Sequence, residues 1–163
     1  MSIPSYPVQL SLEGAWVLVT GGGAIAARKV EELLEAGAKV RVVTVEVGEA
    51  LLPLVERLHA IDFRPAEARD VLGKALVIAA TDDRRANRRI AEAARARGIL
   101  VVAVDDPEVS SFYSPAVVRR GPLCLAIGTN GAAPLLSAQL RRLFEAAIPE
   151  GLSSVADLLA EAR

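Results

Sequence analysis

The sequence predicts an α/β fold, a doubly wound parallel sheet followed by a small C-terminal β-α arm, and three observations predict it. Short runs rich in Val and Ile alternate with stretches whose apolar residues recur at helical spacing, which is the pattern of βαβ units. The first of these runs, from Ala15 to Thr20, passes directly into three consecutive glycines. From about Ser114 the alternation gives way to Pro115, an Arg-Arg-Gly-Pro turn and one amphipathic helical pattern. With 163 residues, 52% of them hydrophobic, the chain has the size of about one domain and enough apolar side chains to build a core.

Each element follows from local chemistry. Residues 15–20 form the first strand and residues 24–36 the first helix, with Val30, Leu33 and Leu34 on one face and Gly37 as its stop. Residues 39–44 form the second strand, residues 49–58 a second helix, and residues 61–64 a short strand. Ala75 to Ala80 is continuously apolar, as a parallel strand covered on both faces must be. Asp82 and Asp83 stand where a helix N-cap belongs, and that helix reaches Arg97 before Gly98 ends it. Residues 99–104 supply another buried strand, closed by Asp105, Asp106 and Pro107. Beyond Ser114 lie a strand over 123–127, a turn over 128–131 and a helix over 133–147 whose Leu135, Leu136, Leu140, Leu143 and Phe144 need cover. Pro149 and Gly151 break that helix, and Ser153 or Ser154 is placed to cap a last short one.

The glycine junction carries the first functional signal. Gly21, Gly22, Gly23, Ala24, Ile25 and Ala26 fit G-x-G-x-x-A between a strand and a helix, the dinucleotide fingerprint of a Rossmann-like fold. The pyrophosphate would sit on the helix N-terminus, where unpaired N–H groups and the dipole favour negative charge. Glu46 lies just past the second strand, after Val45, where a carboxylate accepts hydrogen bonds from the ribose hydroxyls of NAD. Thr81 and Asp82 end the Ala75–Ala80 run, at the sheet edge that faces the ligand crevice, and helix capping is their alternative role. Asp105 ends the 99–104 strand on the same edge, where it could act as a general base; a simple turn is the alternative reading of Asp105, Asp106 and Pro107. Residues 1–113 are therefore expected to form an NAD-binding unit and residues 114–163 a dimerisation arm, since an appendage of that size buries little alone.

Composition excludes several classes. Nineteen basic and twenty acidic residues leave no basic field for nucleic acid. No apolar run approaches the roughly 18 residues that span a bilayer, and no basic residue precedes Arg28 to open a signal peptide, so the expectation is a cytoplasmic protein with no membrane partner. A single cysteine, Cys124, cannot pair within the chain and reads as a small buried hydrophobe, and a single histidine, His59, carries no assigned role. No resident metal site is expected. Arg84, Arg85, Arg88 and Arg89 read as a solvated helix face.

Several segments, taken in order, resemble one family. They are Y-P-V-Q-L-S-L-E-G (6–14), V-L-V-T-G-G-G-A-I-A-A-R-K (17–29), L-L-E-A-G-A (33–38), I-A-A-T-D-D (78–83), V-D-D-P (104–107), S-F-Y-S-P (111–115) and R-G-P-L (120–123). Together, over about residues 3–148, they resemble the precorrin-2 dehydrogenase/sirohydrochlorin ferrochelatase family of sirohaem synthesis. The resemblance implies NAD-dependent oxidation of precorrin-2 to sirohydrochlorin, followed in some members by insertion of Fe²⁺ as a substrate. It places the catalytic aspartate on Asp105, and the NAD contacts on the glycine turn with Ala24 and Ile25, on Val45 and Glu46, and near Thr81. A tetrapyrrole with eight carboxylates needs local cations, for which Arg119 and Arg120, or Arg28 and Lys29, are candidates; Phe112 could pack against the macrocycle or in the core, and Thr129 is a further substrate candidate. Val102 stands where family members often carry Asn, and Thr129, Asn130 and Gly131 where they often carry Ser-Gly-Gly. The sequence ends before most of the family's helical C-terminal segment, which leads us to expect dehydrogenation more firmly than chelation. A non-catalytic NAD(H)-sensing domain would share the glycine turn and the acid after the second strand, but not the R-G-P-L strand and its helix. A short-chain dehydrogenase would need a Tyr-x-x-x-Lys pair, whereas Tyr6 and Tyr113 are followed at that spacing by Leu10 and Val117.

Overall fold

The computed structural model describes residues 6–149, 151 and 152. These fall into two compact units: Val8–Phe112, and the described residues from Tyr113 on together with Tyr6 and Pro7. In the first unit the order is β1 (Trp16–Thr20), α1 (Ala24–Glu35), β2 (Lys39–Thr44), β3 (Ala60–Phe63), β4 (Leu76–Ala79), α2 (Arg84–Arg95) and β5 (Leu100–Ala103). All five strands are parallel, in the spatial order β3-β2-β1-β4-β5. The order reverses between β1 and β4, and ligands of such sheets bind at this switch point, outside the carboxyl ends of the strands.

Strand alternation divides the core into two layers. Val17 and Val19, Val40 and Val42, and Leu76 and Ile78 pack with Ala26, Ala27, Val30 and Leu33 of α1. Their neighbours Leu18, Val43, Val77, Ala79, Val101 and Ala103 pack with Ile90, Ala91 and Ala94 of α2 on the opposite face. Both faces are covered, so a one-residue slip of β1 would exchange the two layers.

Three elements differ from expectation. The predicted helix over 49–58 is a 3-10 turn, Leu52–Arg57, with Pro53 at its start. Leu51 and Leu54 are buried three residues apart, a spacing that suits the tighter turn, and the proline supplies no N–H to a longer helix. A second 3-10 turn, Ala68–Val71, was unexpected and forms around Asp70. The buried Asp70 carboxylate accepts from the Glu67 N–H at 2.8 Å and from two nitrogens of Arg64 at 2.9 and 2.6 Å. The Arg64 guanidinium bonded to it holds the Asp70 carboxyl below the usual range. Lastly, Cys124 is half-buried in a two-stranded ribbon and is not a core residue.

The second unit contains β6 (Ala116–Arg120), β7 (Leu123–Ile127) and α3 (Pro134–Ala147). The strands form an antiparallel hairpin in which Val118 lies opposite Leu125. Arg120 secures the end of α3, donating from Nη2 to the Glu145 carbonyl at 2.8 Å and from Nε to that of Ile148 at 3.4 Å. The carbonyls of a last helical turn have no partner within the helix, and a cation there also opposes the dipole. The short helix expected near Ser153 and Ser154 lies outside the described residues. No helix among the described residues is long and apolar enough to cross a membrane.

Candidate functional site

The glycine turn is shaped by contacts that a side chain would destroy. Gly21 has φ +103°, and a Cβ on it would lie 2.3 Å from the Ala80 carbonyl oxygen. A Cβ on Gly22 would lie 1.9 Å from the Glu46 carbonyl oxygen. Gly23 serves as the N-cap of α1 with no side chain capping it and open space around its Cα. The N-terminus of α1 thus offers N–H groups without a side-chain partner, and Gly23, Ala24 and Ile25 are all exposed there. These features fit a dinucleotide pyrophosphate, which needs close backbone approach and unpaired donors.

The loop after β2 is tied to this turn. Thr44, buried at the end of β2, donates its hydroxyl to the Glu46 carbonyl at 2.7 Å and accepts from the Glu46 N–H at 3.3 Å. The Gly48 N–H donates to the Gly22 carbonyl at 3.0 Å. Val45 and Glu46 are both exposed, so the Glu46 carboxylate is available at the place expected for a ribose partner. Thr44 and Gly48 escaped the sequence reading. A glycine two residues past the acid was the available signal, because a Cβ on Gly48 would meet the Gly22 oxygen at 3.0 Å.

After β4, Asp83 alone caps α2, accepting from the N–H groups of Arg85 and Ala86 at 2.8 and 3.2 Å. Asp82 is exposed and takes no part in the cap, which corrects its expected capping role. Thr81 is held by the buried Asn87, whose Oδ1 accepts from the Thr81 N–H at 3.0 Å and its hydroxyl at 2.6 Å, and whose amide donates to the Thr81 carbonyl at 2.8 Å. Asn87 was also missed, because a polar residue inside an Arg-rich helix start reads as solvated. Beside them Thr20 buries a hydroxyl with no hydrogen-bond partner at the end of β1.

The turn after β5 separates two neighbouring acids. Asp105 is exposed with φ +60°, and no hydrogen bond or ion pair among the described residues engages its carboxylate. Asp106 is 1% exposed, its Oδ2 lying 3.2 Å from Nε of Arg88 and 3.6 Å from Nε of Arg84, at ion-pair distance without hydrogen-bond alignment. Arg88 also donates to Glu108 at 2.8 Å; that bond, with Asp106 nearby, raises the guanidinium above its usual value. The α2 arginines are solvent-accessible, as expected, but two of them also have a buried partner. Arg84 and Arg88 share the buried Asp106, and Arg84, Arg85, Arg88 and Asp106 line an open hollow of about 300 Å³.

Thr20, Thr44, Ala79 and Ala103 are the last residues of adjacent strands, so the glycine turn, Glu46, Thr81, Asp82 and Asp105 all follow strand ends on one sheet edge. Phe112, half-buried, packs against the α1-side core. Arg119 and Thr129 belong to the other unit. Arg119 is exposed, whereas the Thr129 hydroxyl accepts from the Ala133 N–H at 3.1 Å and from Ser137 at 3.3 Å, at the start of α3. Among the described residues no three His, Cys, Asp or Glu gather as a metal-binding group.

Comparison with known proteins matches both parts of the chain. A family model described as putative NAD(P)-binding matches residues 8–116, and one described as sirohaem biosynthesis protein central matches residues 120–147. The chain is 44% identical over 159 residues to a siroheme synthase of Gluconacetobacter diazotrophicus, covering 94% of this chain and 34% of that protein. It is 40% identical over 158 residues to a siroheme synthase of Methylococcus capsulatus, covering 96% and 33%. The chain thus spans about a third of the length of these curated relatives. Among solved structures, SirC, a precorrin-2 dehydrogenase, superposes with a TM-score of 0.79 at 28% identity over 96% of this chain and 78% of that one.

Proposed function

We infer that this chain, which belongs to the precorrin-2 dehydrogenase family of sirohaem synthesis, oxidises precorrin-2 to sirohydrochlorin with NAD⁺ as its cofactor. The observation that carries the reading is one sheet edge holding both a glycine-lined helix start without a side-chain cap and the unengaged Asp105 carboxylate. When bound, NAD⁺ supplies the hydride acceptor. Gly21, Gly22 and Gly23 let its pyrophosphate approach the backbone, the N–H groups at Ala24 and Ile25 donate to it, and Glu46 accepts from the ribose hydroxyls with Val45 beside it. Thr81 and Asp82 complete that wall. Asp105 takes the proton that leaves the macrocycle when the hydride is lost, so the substrate gives up two hydrogens, one as hydride and one as a proton.

Arg119 supplies a cation for a substrate carboxylate, Phe112 an apolar edge and Thr129 a hydroxyl. Fe²⁺ is a second substrate: the pyrrole nitrogens bind it, and Asp105 passes the two protons it displaces to solvent one at a time. The working form is a homodimer in the cytoplasm. The exposure of Leu135 (81%) and Leu143 (66%), with Leu136 and Phe144 also exposed, supports a second copy as the cover for α3.

An anaerobic assay with precorrin-2, NAD⁺ and Fe²⁺, following NADH, sirohydrochlorin and sirohaem separately, tests the reading. Sirohydrochlorin formed in step with NADH is the expected result. NAD⁺ binding with no turnover would replace the dehydrogenase with an NAD(H)-sensing domain, and a product that stops at sirohydrochlorin would remove the chelatase step alone.

A further inference from the structure

We propose that Arg88 and Asp106 are positioning residues: the ion pair between the half-exposed Arg88 guanidinium and the buried Asp106 carboxylate ties α2 to the turn after β5 and fixes the backbone from which Asp105 projects. The proposal rests on the reading of Asp105 given above. Asp105 itself has nothing to hold it, since its side chain is exposed and unengaged and its φ of +60° is a conformation that L residues seldom occupy. Such conformations persist where the surrounding structure over-determines them. The next residue does this at three points. The Asp106 N–H donates to the Ala103 carbonyl at 3.2 Å, and its carbonyl accepts from the Ser110 hydroxyl at 2.9 Å. Its side chain, 1% exposed, meets Arg88 at 3.2 Å and Arg84 at 3.6 Å.

The rest of the turn is tied to the same two elements. Ser110 accepts from the Ala103 N–H at 3.0 Å, and Ser111 accepts from the Val101 N–H at 2.7 Å, so the returning chain satisfies the open edge of β5. From α2, Arg88 holds Glu108 at 2.8 Å and Arg95 donates to the Glu108 carbonyl at 2.8 Å. An ion pair with one half-exposed partner is weak evidence of a stability role, because solvent screens the guanidinium. Its place one residue from an exposed carboxylate gives it a different use. An error of about 1 Å in the position of a reacting group can cost about a hundredfold in rate, and this clamp limits such error at Asp105.

The test uses the full chain with Asp106→Asn, Arg88→Gln, Arg88→Lys and Asp105→Ala, plus the Asp105→Ala/Asp106→Asn double variant. Asp106→Asn keeps the side-chain shape and leaves Arg88 its Glu108 partner, so it is the variant expected to fold. We expect kcat for NADH formation to fall about tenfold or more in Asp106→Asn and Arg88→Gln, with NAD⁺ affinity within about twofold and partial recovery in Arg88→Lys. In the Asp105→Ala background, Asp106→Asn should cost nothing further, because a residue that acts through Asp105 has nothing left to position. Amide exchange of residues 104–111 should quicken in Asp106→Asn while the strands stay protected, a readout that needs no turnover. Unchanged kcat and unchanged exchange in Asp106→Asn would overturn the proposal, as would an equal loss in the Asp105→Ala background. Wild-type turnover in Asp105→Ala would instead overturn the reading on which it rests, and quickened exchange would then leave the clamp standing as a structural device only.

Discussion

The two units use apolar residues in opposite ways. In Val8–Phe112 both sheet faces are covered, and side chains such as Leu18, Val30, Val77 and Ile90 are almost fully buried. Among the described residues from Tyr113 on, Val118 is the single buried apolar side chain, while Leu135, Leu136, Leu143 and Phe144 of α3 stand exposed. The first unit is built to fold around its own core. The second leaves an apolar helix face exposed, which is the surface the proposed dimer would cover. Chemistry follows the same division: every candidate cofactor contact and Asp105 lie on the self-sufficient unit, where a rigid sheet fixes their spacing.

Substitutions can break or sharpen that contrast. Leu18→Ala should have the largest effect, destabilising the chain by about 3–4 kcal/mol in denaturant titration, because the residue is fully buried and the sheet cannot close around the gap. Leu135→Ala, the matching truncation on the arm, should change folding stability by less than about 0.5 kcal/mol and instead shift sedimentation towards monomer. Equal losses of folding stability in the two variants would erase the distinction.

Asp70→Asn comes next, at about 2 kcal/mol near neutral pH, since it removes the buried carboxylate that pairs with the Arg64 guanidinium. The sign of its pH dependence follows from the lowered carboxyl. An Asp whose folded pKa lies below the unfolded value stabilises the protein above about pH 4, and loses that contribution as pH falls through the folded value. Urea midpoints of wild type and variant should therefore converge in acid; a gap that stays constant from neutral pH down to acid would contradict the assignment. Thr129→Ala should cost less than Asp70→Asn, about 1 kcal/mol, from loss of the acceptor for the Ala133 N–H at the start of α3. Amide exchange confined to the first turn of α3 would report it.

The sequence made the regular elements legible where pattern and burial agree. The valine-rich strands and α1 came through because two-sided burial leaves continuous apolar runs, and helical burial leaves spaced ones. The 49–58 segment did not, since Leu51 and Leu54 suit a helix and a 3-10 turn alike. The glycine turn and Asp105 were readable as site candidates from their position after strands. What supports them was not. Asn87, Thr44, Ser110 and the Arg88–Asp106 pair act through contacts between residues whose types each have an ordinary local reading as solvated, capping or turn-forming.

The central claim is that Asp105 works as a proton acceptor on a dinucleotide-binding sheet edge. Its most direct test is anaerobic NADH formation from precorrin-2 by wild type and Asp105→Ala, with NAD⁺ affinity measured on both by calorimetry. We predict unchanged NAD⁺ binding and a rate lower by about a hundredfold or more in the variant. Equal rates in the two proteins would contradict it.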